Sequence, residues 1–288
     1  MATRAAVHDT LGAVQRPFRQ VDVFSPDPFL GNPVAVVLDS TGLTTEQMQR
    51  FARWTNLSET TFVLPADQPG ADYQVRIFTS STELPFAGHP TLGTCHAWLE
   101  SGGQPSRPDV IGQQCKAGLV QVRRDAGLLG FAAPPQVRSG PVADETVDKI
   151  AGQLKIARAD IVDAQWVDNG PGWVAVLLGS ADQVLALRPA IDKIELGVVG
   201  PYPPGSECAF EVRAFFSVGD RTVEDPVTGS LNASLAQWLL SAGRVTAPYV
   251  ASQGTAIGRR GRVHVSADGD DIWIAGATTT RVTGSADL

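Results

Sequence analysis

Apolar residues along this chain fall mostly at alternate positions or in short unbroken runs, the signatures of strands buried on one face or on both. Residues 20–24, 34–38, 61–64, 74–78, 119–123, 172–178, 211–216, 262–266 and 271–275 carry this pattern, most of them bounded by Gly, Pro, Asn or Asp. Helical spacing is rarer. It predicts helices over 44–54, where Thr44 with Glu46 in the first turn makes a cap, and over 91–100, 144–154 and 230–240. Segments 91–100 and 230–240 are small and apolar on most sides, which predicts helices buried at the centre of a curved sheet. A Pro precedes each, and Gly, Ser or Thr crowd each start. Their first turns should aim unpaired N–H groups at a domain junction, where such ends bind anions, carboxylates included.

This pattern is written twice. Val75-Arg76-x-Phe78 leads to His89-Pro90-x-x-Gly93 and a stretch ending Trp98-Leu99-Glu100-Ser101-Gly102. Val212-Arg213-x-Phe215 leads to Asp225-Pro226-x-x-Gly229 and a stretch ending Trp238-Leu239-Leu240-Ser241-Ala242-Gly243. Upstream, Asn32-Pro33-Val34-Ala35-Val36-Val37-Leu38 echoes Gly172-Trp173-Val174-Ala175-Val176-Leu177-Leu178. Two copies of one unit imply two similar domains with a ligand cleft between them. The expected division is a flexible tail over 1–16, an N-terminal repeat domain over 17–132 and a C-terminal repeat domain over 133–288. A linker sits near Pro134-Pro135 and Pro141, and the last strand, near 271–284, is free to pack back on the first domain. Strands with interspersed helices make the class α+β, each domain a mixed sheet wrapped around a central apolar helix. In this alignment His89 and Asp225 stand at the same place in each copy, and that asymmetry is where chemistry is expected.

Composition narrows the function. With 288 residues, 43% of them hydrophobic and 18% charged, the chain is long enough for two cores. A net charge of −7 gives no support for nucleic-acid binding, and no run approaches the roughly 18 apolar residues that span a bilayer. Residues 1–16 lack the apolar core of a secretory signal. Cys95, Cys115 and Cys208 are odd in number and far apart, which fits reduced cytoplasmic thiols better than a disulfide framework. His8, His89, His96 and His264 are too scattered to suggest a metal cluster.

Each candidate residue has a plain structural role to set beside a chemical one. Asp225 before Pro226 reads first as a helix cap with Pro at the first helical position. His89 reads first as a loop residue, and Glu59, in Asn56-Leu57-Ser58-Glu59-Thr60-Thr61-Phe62, as a solvated turn. Drawn into a closed cleft, however, Glu59 would gain the raised pKa that acid–base work at neutral pH requires. Ser230 would be a nucleophile only with a base nearby, and Thr228-Gly229-Ser230 is not the G-x-S-x-G elbow. Asn32 is either a turn residue or an amide offered to a ligand.

Taken together, several segments resemble the PhzF-like isomerases of phenazine biosynthesis, whose fold is that of diaminopimelate epimerase. They are Val21-Asp22-Val23-Phe24, Pro28-Phe29-Leu30-Gly31-Asn32-Pro33, the Glu59 segment, Glu83-Leu84-Pro85-Phe86-Ala87-Gly88-His89-Pro90-Thr91-Leu92-Gly93, Glu224-Asp225-Pro226-Val227-Thr228-Gly229-Ser230, and Gln253-Gly254 with Gly258-Arg259. The resemblance runs in order from about residue 18 to the last strand. It implies two similar domains with the site between them, Glu59 as the single catalytic acid/base, and His89 and Asp225 at relay or substrate-contacting positions. Ser230, Gly229, Gly88, Asn32 and Thr228 are the expected substrate contacts. The related epimerases place a cysteine at each helix mouth. Here neither mouth has one, so a two-thiol racemase is disfavoured.

The expected activity is therefore a cofactor-independent isomerisation moving a proton between carbons of a small carboxylated metabolite, such as trans-2,3-dihydro-3-hydroxyanthranilate. Neither a metal nor a nucleic-acid or membrane partner is expected, and a homodimer is implied by the family. Alternatives are a serine hydrolase using Ser230 and His89, or a non-catalytic metabolite-binding protein of the same fold. Departures from the family pattern stand at Ser80, Asn232 and Arg260-Gly261, the last two expected near the ligand.

Overall fold

The structure, a computed structural model, describes residues 14–219 and 221–288. It opens with β1 (Gln15–Val23), β2 (Asn32–Val37), α1 (Thr45–Thr55), β3 (Glu59–Leu64), β4 (Tyr73–Phe78), β5 (Glu83–Leu84), α2 (Gly88–Glu100), β6 (Val110–Cys115), β7 (Gly118–Asp125) and β8 (Leu128–Ala132). It continues with β9 (Arg138–Pro141), α3 (Asp144–Leu154), β10 (Ile161–Asp168), β11 (Trp173–Leu178), α4 (Ala181–Ala186), β12 (Glu195–Pro201), β13 (Phe210–Val218), β14 (Arg221–Asp225), α5 (Gly229–Ser241), β15 (Tyr249–Gln253), β16 (Gly261–Asp268), β17 (Asp271–Gly276) and β18 (Thr278–Asp287). Residues 1–13 of the expected tail lie outside the described residues, whereas Gln15 and Arg16 already pair with Asp287 and Ala286 in strand. The stretch read as a linker also holds a strand. Pro141 ends β9, which pairs only with β10, so its missing N–H breaks no ladder.

The repeat is one of pairing as well as sequence. In the first half β1 is antiparallel to β2, β2 parallel to β3, and β3 antiparallel to β4, which takes β5 antiparallel and β6 parallel. In the second half β10, β11, β12, β13, β14 and β15 repeat every one of those relations in order. The halves join where β8 pairs with β17, and β18 crosses back to run the length of β1.

Between β5 and β6 lies α2, and between β14 and β15 lies α5. Nine of the thirteen residues in each are buried, so these helices are core rather than surface, as their apolar composition dictates. Leu92, Cys95, Leu231 and Leu235 share one core with Val34, Val36, Val199 and Phe131. The outer faces of the strands carry the other helices. In the first half α1 covers Val37, Phe62 and Phe78 with Met48 and Ala52, its start fixed by a capping box between Thr44 and Gln47. In the second half α3 and α4 cover Val174, Val176, Leu196, Val198 and Phe215.

Strand register corrects how the repeat was aligned. Phe78 pairs with Glu83 and Phe215 with Glu224, each glutamate bridging an arginine two residues before the phenylalanine, Arg76 and Arg213. Glu83-Leu84-Pro85-Phe86-Ala87-Gly88-His89 therefore matches Glu224-Asp225-Pro226-Val227-Thr228-Gly229-Ser230. His89 corresponds to Ser230, and Asp225 to Leu84, so His89 and Asp225 do not occupy the same place. Pro226 thus matches Pro85, and Pro90 has no proline counterpart in the second unit. Helix α2 begins at Gly88 rather than at 91, with Pro90 in its first turn, where a missing N–H costs nothing.

Candidate active site

Both central helices start without a side-chain cap, α2 after Ala87 and α5 after Thr228. Asp225 is thus not the N-cap it was expected to be; it ends β14, ahead of the helix. The two starts meet. A Cβ on Gly88 would lie 3.2 Å from the Cα of Gly229 and 2.6 Å from the Phe131 ring, and one on Gly229 would lie 3.1 Å from the Cα of Gly88. Both glycines serve this close approach of backbone to backbone. Two positive helix ends then face one spot, a setting that favours an anion.

Around this junction the structure gathers Glu59, His89, Asn32 and Asp225, drawn from β3, α2, β2 and β14. Helix α1 is stopped by Asn56 in the left-handed conformation (φ 54°), and the chain turns directly into β3 with Glu59 as its first residue. The neighbouring hydroxyls serve the framework: Thr60 bonds Thr55 at 2.9 Å, and Thr61 accepts from Thr94 at 2.8 Å. Glu59 itself turns inward, and its side chain is 16% exposed. Its Oε2 stands 3.3 Å from His89 Nε2, yet the two are not aligned and neither atom makes a hydrogen bond. Asn32 Oδ1 is likewise buried without a partner. Three unsatisfied polar atoms at one buried junction cost stability and mark where a polar ligand would be held.

Asn32 organises the other side. Its Nδ2 lies 2.9 Å from Val227 O, 3.1 Å from Asp225 Oδ1 and 3.3 Å from His89 Nδ1. Asp225 Oδ2 accepts from Thr228 Oγ1 at 2.6 Å. Ser230 Oγ accepts from the Trp173 indole at 3.1 Å, and no Ser230–His89 hydrogen bond forms among the described residues, so the pair a serine hydrolase needs is not assembled. Trp173 and Gln253 were missed as site residues, and Asn232 was expected near the ligand only as a departure from the family pattern. Asn232 was detectable as a polar residue inside an otherwise apolar buried helix, and Gln253 within the Gln-Gly pair. Of the departures from the family pattern, Asn232 does border Asp225's network, but Arg260 turns away to bridge Asp27 at 2.8 Å on the surface.

The electrostatics follow from burial. It pushes Glu59 up to about 8, with the Asp225 charge adding to the rise. It pushes Asp225 up to about 6, against the lowering hydrogen bonds from Thr228 and Asn32. It pulls His89 down to about 3, only partly offset by a hydrogen bond to the Pro33 carbonyl. At neutral pH the site thus holds a protonated Glu59, a neutral His89 and an ionised Asp225. Two carboxylates at one junction whose environments drive their pKa values apart are a mark of divided acid–base roles.

Comparison with known proteins agrees with this architecture. Residues 21–287 match the phenazine biosynthesis-like protein family, PhzC-PhzF. Antisense-enhancing sequence 1 of Schizosaccharomyces pombe is 33% identical over 93% of this chain and 98% of its own length. The trans-2,3-dihydro-3-hydroxyanthranilate isomerase of Pseudomonas aeruginosa is 34% identical over 86% of this chain and 89% of its own. Among solved structures, a PhzF-family protein of Bacillus anthracis superposes with a TM-score of 0.81 at 23% identity, covering 96% of this chain and 100% of that one. A hydroxyproline epimerase of Agrobacterium vitis shares the fold more distantly, with a TM-score of 0.57 at 13% identity over 95% of this chain and 93% of that one. The chain belongs to the phenazine biosynthesis-like family and is a PhzF-like isomerase.

Proposed function

We propose that this isomerase moves a proton between two carbons of a small unsaturated carboxylic acid without a cofactor, Glu59 being the single acid/base. The observation that carries the reading is Glu59 itself, buried, free of any hydrogen bond at Oε2, and raised to about 8. Ionised, it is basic enough to take a proton from carbon beside unsaturation. Once protonated, it can return that proton to a second carbon, so atoms and charge balance with no redox step. The released electron pair spreads into the substrate, and the facing first turns of α2 and α5 stabilise the charge that reaches its carboxylate. Asp225, His89 and Asn32 hold the polar substituents. The reading treats the two halves as domains with the substrate between them, and the homodimer implied by the family is open to light scattering.

Relatives at 33–34% identity are named trans-2,3-dihydro-3-hydroxyanthranilate isomerase, so that compound is the substrate to try first. In D₂O, NMR should show deuterium-marked isomerisation with the wild-type chain and none with Glu59→Gln. Turnover by Glu59→Gln at a near-normal rate would sink the assignment. No change with either protein would reject this substrate and turn the search to other small unsaturated acids.

A further inference from the structure

Asp225 is a carboxylate at a buried junction with no ion-pair partner among the described residues; its neighbour Glu224 takes the nearby Arg213. When ionised it is held by hydrogen bonds alone, from Asn32 Nδ2 on Oδ1 and, on Oδ2, from the end of one directed chain. The chain starts at a group that cannot reverse, the carbonyl of Thr228. That oxygen accepts from Asn232 Nδ2 at 2.9 Å, which settles which end of the Asn232 amide is nitrogen. The same Nδ2 donates to Gln253 Oε1 at 2.8 Å, as does the Thr228 N–H at 3.0 Å. Gln253 Nε2 must then face the other way, donating to Asp225 O at 3.1 Å and Thr228 Oγ1 at 2.9 Å. The Thr228 hydroxyl keeps one proton to give, and Asp225 Oδ2 receives it at 2.6 Å. A proton on Asp225 Oδ2 would oppose that donor, and one on Oδ1 would oppose Asn32 Nδ2. Asn232, Gln253 and Thr228 are 2%, 0% and 8% exposed, so water does not stand in for a missing partner.

We propose that Asn232 and Gln253 are positioning residues that fix the direction of this chain, keep Asp225 an acceptor on both oxygens, and thereby leave the proton of the site on Glu59. The groups facing Asp225 are Glu59 from β3, His89 and Asn32 on its Oδ1 side, Thr228 and Gln253 on the other, and Glu224 beside it in β14. Of these Glu59, His89 and Glu224 are titratable, and Glu224 is paired with Arg213. The Asp225 anion is also what adds to the raised basicity of Glu59, so the two carboxylates are set as a pair. The inference builds on Glu59 as the acid/base, but its test needs no turnover.

Carboxyl ¹³C NMR of Asp- and Glu-labelled, ligand-free protein follows both midpoints, with Glu59→Gln and Asp225→Asn spectra supplying assignments. In the wild type Asp225 should titrate below Glu59. Asn232→Ala, which removes one of the two donors to Gln253 Oε1, should bring the midpoints together by about one pH unit, Asp225 rising and Glu59 falling. Asn232→Leu, similar in size and with no donor for Gln253, should bring them together likewise. A merely structural Asn232 would lower the melting temperature and leave both midpoints where they were; that result in Asn232→Ala overturns the proposal whether or not Asn232→Leu folds. Converging midpoints in a protein whose wild type shows no isomerase activity would uphold the directed chain and reject Glu59's assigned reaction.

Discussion

The mouths of α2 and α5 are built on one plan and do different work. Each lies beside a strand opened by a glutamate on the inner face, Glu59 in β3 and Glu195 in β12. The pairs Thr60–Phe78 and Leu196–Phe215 put those glutamates in the same register. Each unit also keeps an arginine–glutamate bridge and an arginine over a phenylalanine, at 5.1 Å for Arg76 with Phe78 and 4.8 Å for Arg213 with Phe215. The surroundings differ. Glu59 faces His89 and the Asp225 charge, whereas Glu195 stands across from Trp173, partly buried and without a polar partner. The duplicated plan holds two carboxylates in one register, and the side chains around Glu59 are what fit it for the proposed acid/base role.

The largest effect expected from breaking this asymmetry is on Glu59. Glu59→Gln should lower kcat/KM by about 10³-fold or more, near the 10²–10⁴ that a placed acid/base supplies. Circular dichroism should show an unchanged fold. In the wild type, kcat/KM should climb with pH as Glu59 ionises near 8 and level off above it. Stability should show the opposite trend. With Glu59 raised from 4.5 to about 8, the unfolded chain loses its proton first, so stability falls as pH rises across that window. Lowered from 6.5 to about 3, His89 makes stability fall as pH drops across its own window. Chemical denaturation of Glu59→Gln should weaken the first trend, most of all between about pH 7 and 8, and keep the second.

Next in size are the two bridges. The Arg213 and Glu224 side chains are 5% and 10% exposed, and Arg213 also donates to Val184 O and Leu187 O at 3.0 Å each. Glu224→Gln strands a buried cation and should cost about 3–5 kcal/mol. Arg76 and Glu83 are 23% and 21% exposed, so water replaces much of what Glu83→Gln removes, and the cost should be about 1 kcal/mol. Urea titrations of the two variants would compare the halves directly, and equal losses would contradict the difference in burial.

Much of this was legible in the sequence where one residue type has one physical use. The nine apolar runs are all strands, and two uncharged helices could only be core. The site cluster of Glu59, His89, Asn32 and Asp225 also comes together. What stayed hidden was set by pairing. β18 is largely Thr, Ser and Ala along an edge, with only Val282 as a large apolar residue, so alternation says little about it. β12 breaks its apolar run with Gly197 and Gly200, whose missing side chains make room for Leu231 and Ser180. The match of His89 to Ser230, and of Asp225 to Leu84, needed strand register, because two His-Pro and Asp-Pro pairs look alike in one dimension and sit at different depths in three. The directed amide chain was equally out of reach, since direction depends on contacts between residues 21 to 28 positions apart.

The smallest effect expected is at the symmetric carboxylate. Burial against apolar neighbours pushes Glu195 from 4.5 up to about 7, which alone would nominate it as a second acid. Raised basicity is not sufficient, however. Catalysis also needs a ligand held against the carboxylate; the unsatisfied His89 nitrogen 3.3 Å from Glu59 is replaced at the α5 mouth by Ser230, whose hydroxyl is taken up by the Trp173 indole. Glu195→Gln should therefore leave kcat/KM within about twofold while removing one titration near pH 7 from the carboxyl spectrum. Its folded-state value lies above the unfolded one, so the same substitution should also make the loss of stability between about pH 4.5 and 7 shallower, leaving the part owed to Glu59. A large drop in kcat/KM would mean that both mouths of the duplicated fold carry catalysis, and that the single-carboxylate reading describes only half of the site.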